Sequence, residues 1–193
     1  ASDVYKRQSV AWDFVELPSQ FMENWCFQPT ELKNWAKHYK TQKVMPESII
    51  SNINRSQKFL EGIATVRQIG LGLLDLAWHD QSDKVENYLL LEESVFLSLE
   101  LWNREPGISV SPAFSHIFAG GYSAGYYSYK WSEVLDADAF SRFLNDNDEA
   151  SAAADFKKLL SCGGSVKASI LFKNFMGRKP TTEALLKRSG LHG

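Results

Sequence analysis

Hydrophobic positions recur on a 3.6-residue period along nearly the whole chain, which predicts helices almost throughout. Over residues 13–26, Phe14, Leu17, Phe21, Met22 and Trp25 share one side of a helical wheel, and Glu16, Ser19, Gln20 and Glu23 share the other. Pro18 interrupts this pattern and removes the hydrogen bond to Phe14, so the helix must kink there or start late. Thr30 is placed to cap a short helix over 30–39, and Pro46 with Glu47 opens the helix "PESIISNINRS". A long apolar helix is expected over 56–78, and Ser82 or Asp83 is expected to cap "DKVENYLLLEESVFLSLELW". The run "REPGISVSPAFS" breaks that helix, so 104–119 is expected to be irregular or extended. Helices over about 121–145, 149–162, 166–176 and 181–189 complete the pattern, with Gly163, Gly164 and Gly190 as stops. No run of alternating strands and no internal repeat is present. The expectation is an all-α, multi-helix, bundle-like body without a clear linker.

Composition narrows the class of partner. The chain has 193 residues, 44% of them hydrophobic and 13% aromatic, so a packed core is accessible. A net charge of −2 with interleaved signs argues against nucleic acid or an anionic membrane. Arg67, Gln68 and Asp75 interrupt the longest apolar stretch, which therefore falls short of the roughly 20 residues a membrane helix needs. Two distant cysteines, Cys26 and Cys162, suggest a reducing compartment rather than a disulfide framework. The polar start "ASDVYKRQ" carries no signal-peptide core.

The densest chemistry lies in "HIFAGGYSAGYYSYKW", from His116 to Trp131. Continued as a helix from Gly121, this stretch puts Tyr122, Tyr126, Tyr129 and Glu133 within about 60° of one another. Tyr127, Trp131 and Val134 then fall on the opposite side, where they would pack in a core. Gly120 and Gly121 allow a sharp turn before the helix, and His116 lies within reach of its first turn. Tyrosine at helical spacing is ordinarily core. A row of phenols beside a histidine is also a row of neutral donors at pH 7, suited to a peptide carbonyl or a developing oxyanion. It supplies no nucleophile.

"DFVELPSQFMENW" and "FSHIFAGGYSAGYYSYKWSEV", in that order, together with the tail "LLSCGGSVKASILFKNFMGRKPTTEALLKRSGL", resemble the closing part of the thimet-oligopeptidase family over about 13–191. That resemblance implies an almost wholly helical zinc metallopeptidase that cleaves short peptides in a deep channel. In the family an HExxH helix gives two zinc ligands and the general base, and a downstream glutamate gives the third ligand. The matching glutamate here is Glu16. By the same match, His116, Tyr126 and Tyr129 act catalytically on the substrate and oxyanion, while Gly120, Gly121 and Tyr122 belong to the substrate-contacting loop.

No HExxH occurs among these 193 residues, and the four histidines, His38, His79, His116 and His192, are far apart. Catalytic zinc takes three protein ligands plus water, so Glu16 alone does not hold it. The expected organisation is a short non-family leader over 1–12, then 13–193 as the C-terminal helical part of a peptidase catalytic domain. On this reading the partners are short peptides and the missing N-terminal part that carries HExxH, with no nucleic acid and no membrane. The expected compartment is the bacterial cytoplasm. His38, His79 and His192 are expected to be surface or structural residues. Two other readings stay open: a non-catalytic helical module that binds peptides through the tyrosine groove, and one half of a split peptidase.

Overall fold

Two separate apolar cores organise the chain. The computed structural model describes residues 10–99, 105, 107–145 and 149–191. They divide into a first unit, Ala1–Glu61 with Trp131–Gly193, and a second unit, Gly62–Lys130. Among the described residues there is no strand, only an isolated antiparallel bridge between Lys37 and Val44, so the fold is all-α.

The first unit begins with α1 (Trp12–Val15), α2 (Leu17–Glu23), a 3-10 turn (Asn24–Phe27), α3 (Pro29–Trp35) and α4 (Glu47–Ser56). Most of α8 (Ser128–Asn145), then α9 (Glu149–Ser161), α10 (Ala168–Met176) and α11 (Glu183–Ser189), complete it. Its core gathers Phe14, Leu17 and Phe21 with Leu135, Phe140, Phe156 and Phe172. Phe21 stacks on Phe156 at 4.1 Å between centroids and meets Phe140 edge-on at 5.5 Å. Burial of each such ring contributes about 1.5–3 kcal/mol, and the edge contacts add to it.

Buried charge in this unit is matched by fixed donors. Asp136, 1% exposed, accepts hydrogen bonds from Asn24 Nδ2 at 2.8 Å and from Arg188 Nη1. Arg188 also donates to Asn24 Oδ1 at 2.8 Å, which closes the triangle. Two residues on, Asp138 takes both Nη atoms of Arg178, at 2.7 and 2.6 Å, and the Thr181 N–H at 3.1 Å.

The second unit holds α5 (Glu61–His79) from its second residue, α6 (Tyr88–Phe96), a 3-10 turn (Ser111–Ala113), α7 (Ser115–Phe118) and the start of α8. Leu71, Leu74, Phe96, Phe114 and Ile117 form its core, with Trp78 and Tyr126 packed against it. Glu92 on α6 is 2% exposed and binds the loop ahead of α7. It accepts from Ser109 Oγ at 2.7 Å, from Val110 N at 3.1 Å and from Ser111 N at 2.6 Å. Ser111 Oγ in turn accepts from Trp78 Nε1 at 2.9 Å.

Several expected boundaries move. The 13–26 helix is broken at Glu16, with Pro18 in the first turn of α2, where its missing N–H is harmless. Met22, expected on the apolar side, is 59% exposed. The 30–39 helix starts at Pro29 and stops at Trp35, because the chain turns into the Lys37–Val44 bridge. The long apolar helix starts late, at Glu61, after Leu60 takes φ 58°. Neither Ser82 nor Asp83 caps α6; Asn87 does, through Oδ1 to the N–H groups of Leu89 and Leu90. The described part of 104–119 holds two short helical turns and no strand. Gly177 and Gly190 end α10 and α11 in the left-handed region, Gly190 as the sequence predicts. No helix among the described residues is long and apolar enough to cross a membrane.

Two stability predictions follow from these buried carboxylates. Arg188→Ala leaves Asp136 buried without its cation, and the expected loss is about 3–5 kcal/mol in denaturant unfolding; a loss under 1 kcal/mol would show that water reaches Asp136. For Glu92, burial raises the pKa, but hydrogen bonds from Ser111, Ser109 and Val110 outweigh it and lower the value from 4.5 to about 2. The resulting stability is complete above the unfolded pKa and disappears as pH falls through the folded one. Glu92→Gln should therefore remove about 3 kcal/mol at neutral pH and flatten the stability curve between about pH 5 and pH 2. Unfolding titrations with an unchanged acid limb would contradict this.

Candidate functional site

The segment after α7 is built on two glycines that are required for different reasons. A Cβ on Gly120 would lie 2.8 Å from both Cα and O of His116, so only glycine fits where the chain folds back over α7. Gly121 has open space around it but takes φ +82°, a region glycine reaches without strain. The Tyr122 N–H then donates to His116 O at 3.1 Å, and Ser123 Oγ donates to Ile117 O at 2.7 Å.

Residues 123–127 form turns, and α8 begins only at Ser128. The helix expected from 121 is therefore corrected at its start. Ala124 takes φ 53°, a left-handed conformation that costs an alanine roughly 1–2 kcal/mol. The Gly125 N–H closes a turn on Tyr122 O at 2.8 Å. Asp75 of α5, 0% exposed, accepts the N–H of Ala124 on Oδ1 at 3.0 Å and the N–H of Tyr126 on Oδ2 at 2.8 Å. His79, one turn along α5, brings Nδ1 to 2.9 Å from Asp75 Oδ1 and to 2.8 Å from its carbonyl oxygen.

This turn gathers the four rings. Tyr122 stacks on Tyr129 at 5.2 Å between centroids, Tyr126 meets Tyr129 at 5.1 Å, and His116 lies 6.2 Å from both Tyr122 and Tyr126. Phe114 closes the back of Tyr126 at 4.8 Å. His116 is exposed, and the three tyrosines are half-buried. Burial pushes the Tyr126 phenol above its ordinary pKa of 10, Tyr129 pushes it further, and Arg67 pulls it part of the way back. Tyr126 is thus a neutral donor throughout the physiological range.

The helical-wheel account of this stripe does not survive. Tyr122 and Tyr126 lie in the turns, and the grouping comes from the fold-back rather than from helical periodicity. Tyr127 and Trp131, expected to pack in a core, are 45% and 49% exposed.

Glu16 belongs to the first unit. It sits at the break between α1 and α2 and accepts a hydrogen bond from Ser19 Oγ on Oε2 at 2.8 Å. Its carboxylate is a donor of the right type for zinc. Among the described residues, however, no three of His, Cys, Asp and Glu gather for a metal. His38 accepts the N–H groups of Lys40 and Thr41 on Nδ1 at 3.3 and 3.2 Å, which caps a turn. His192 lies outside the described residues.

Sequence reasoning missed Asp75 and Glu92. The available signal was an acid inside an apolar helical run, "LGLLDLAWH" and "YLLLEESVF", where a charge has no surface to reach.

The model of peptidase family M3 matches residues 1–191. Oligopeptidase A of Escherichia coli (strain K12) is 40% identical over 193 residues, covering 95% of this chain and 28% of that protein. Saccharolysin of Saccharomyces cerevisiae is 35% identical, covering 95% of this chain and 26% of that protein. Dipeptidyl carboxypeptidase of Escherichia coli is 28% identical over 186 residues, covering 93% of this chain and 27% of that protein. The chain thus spans little more than a quarter of the length of these relatives. With the family model matched over almost every residue, the chain belongs to peptidase family M3.

Proposed function

We propose that this chain forms one region of a zinc-dependent oligopeptidase that hydrolyses peptide bonds in short peptides. The observation that carries the proposal is the ring cluster of His116, Tyr122, Tyr126 and Tyr129 in a chain of family M3. Peptide hydrolysis builds negative charge on the scissile carbonyl oxygen. Neutral donors placed where that charge develops stabilise the transition state more than the ground state. Tyr126 and Tyr129 take this role, with His116 as a further donor to the substrate. Tyr122, with the Gly120–Gly121 turn, forms the wall along which the peptide lies. Burial raises the Tyr126 phenol further above its ordinary value, so its hydroxyl stays protonated and available to donate at neutral pH.

Glu16 contributes one zinc ligand. The HExxH ligands and the general base come from outside these 193 residues, which contain no such motif.

Three outcomes test this. The chain alone, with zinc added and a chelator control, should show no chelator-sensitive cleavage of a quenched fluorescent peptide. Turnover by the pure chain would mean that the site is complete without HExxH. In the full-length peptidase, Glu16→Gln should lower zinc occupancy sharply in metal analysis without changing helix content. Tyr129→Phe, by contrast, should retain its zinc and nearly its KM while kcat falls by a factor of about 10²–10³. Full occupancy in Glu16→Gln removes Glu16 from the metal site. Wild-type kcat in both Tyr129→Phe and Tyr126→Phe returns the rings to a packing role.

A further inference from the structure

We infer that Asp75 is a positioning residue for the tyrosine wall: it converts residues 122–127 from a helix into the turn that brings Tyr122 against Tyr129. The inference rests on the reading of those tyrosines given above.

Left to local preference, this segment continues α8 backwards, as its periodicity predicts. On a helix, Tyr122 and Tyr129 would be seven residues apart, roughly 10 Å along the axis. In the structure their rings are 5.2 Å apart. The difference comes from the N–H groups of Ala124 and Tyr126. A helix would direct them to carbonyls four residues back; here they point at Asp75, whose two oxygens accept one each. These contacts span 49 and 51 residues of sequence, so the instruction comes from α5 and not from the segment itself.

Two further features indicate that the turn is imposed. Ala124 sits at φ 53°, and a non-glycine residue stays in that region only when its surroundings hold it. Asp75 is itself fully buried, and a buried carboxylate is tolerable only when its oxygens are hydrogen-bonded. The chain and the carboxylate therefore require each other. His79 Nδ1, close to both Asp75 Oδ1 and the Asp75 carbonyl, fixes the carboxylate's rotation. Among the described residues, no other titratable side chain hydrogen-bonds or ion-pairs with Asp75.

Asparagine at 75 keeps the shape but presents an NH2 to one of the two amides, so one bond becomes a donor–donor contact. The test uses the full-length, zinc-loaded peptidase as wild type, Asp75→Asn, Tyr129→Phe, Tyr126→Phe and the double variant Asp75→Asn with Tyr129→Phe. Four quantities are measured: zinc content, thermal melting, amide exchange, and kcat and KM on a quenched fluorescent peptide. Asp75→Asn should keep its zinc and a cooperative melt, and should lose exchange protection at Ala124 and Tyr126. Its kcat should fall tenfold or more, with KM within about threefold of wild type. Because Asp75 acts through the tyrosines, the double variant should be little slower than Tyr129→Phe alone. An unchanged kcat in Asp75→Asn despite faster exchange at 124 and 126, or losses that multiply in the double variant, would overturn the positioning role and leave the tyrosine reading intact. Wild-type kcat in Tyr129→Phe and Tyr126→Phe would overturn both. Should Asp75→Asn fail to fold, His79→Ala carries the test, since it frees the carboxylate's rotation without removing it. It should give the same pattern at smaller amplitude, and an unchanged kcat beside faster exchange counts against the inference.

Discussion

A carboxylate with no exposed surface must obtain from the protein every hydrogen bond that water would have given it. Asp75 meets that constraint with two peptide N–H groups about fifty residues away and one imidazole nitrogen on its own helix. Much of the second unit is arranged around this requirement. It fixes where α8 can begin, keeps Ala124 in a conformation it would not otherwise hold, and sets Tyr126 over Phe114. Glu92 obeys the same rule one helix further on. Its N–H and hydroxyl donors come from 109–111, so the loop that leads into α7 and His116 is fixed from its upstream end as well.

Helix content was readable because 3.6-residue periodicity reports which faces are buried, and burial dominates. Phe14, Leu17 and Phe21 were assigned to the apolar side of their helix and form the centre of the first core. Gly190 is equally plain, since a left-handed stop is a local demand. The turn over 122–127 could not be read in this way. Its sequence is compatible with a helix, and the preference is reversed by a group on another element. For the same reason Tyr127 and Trp131 were placed in a core and are half exposed. The grouping of His116 with Tyr122, Tyr126 and Tyr129 was expected, but for the wrong geometric reason.

The candidate residues divide between the two units. The first carries Glu16 at a helix break fixed by Pro18, and the second carries the histidine and the tyrosines on a fold-back fixed by Gly120 and Gly121. In each case a residue that disfavours an uninterrupted helix stands within a few positions of the polar group. Such interruptions carry a side chain out of a regular helix, and functional groups are disproportionately placed on segments of this kind.

The Asn24–Asp136–Arg188 triangle has a consequence for how the chain is made. Its members are separated by 112, 52 and 164 positions, and all belong to a unit assembled from two distant stretches of sequence. Closing so long an interval is entropically unfavourable until many contacts form together. During synthesis, residues 62–130 have left the ribosome while Arg188 is still untranslated, so Asp136 and the apolar faces of α1 and α2 wait for a partner. The nascent chain thus passes through an interval in which the apolar faces of the first unit lack their C-terminal partners, and apolar surface exposed in this way favours aggregation.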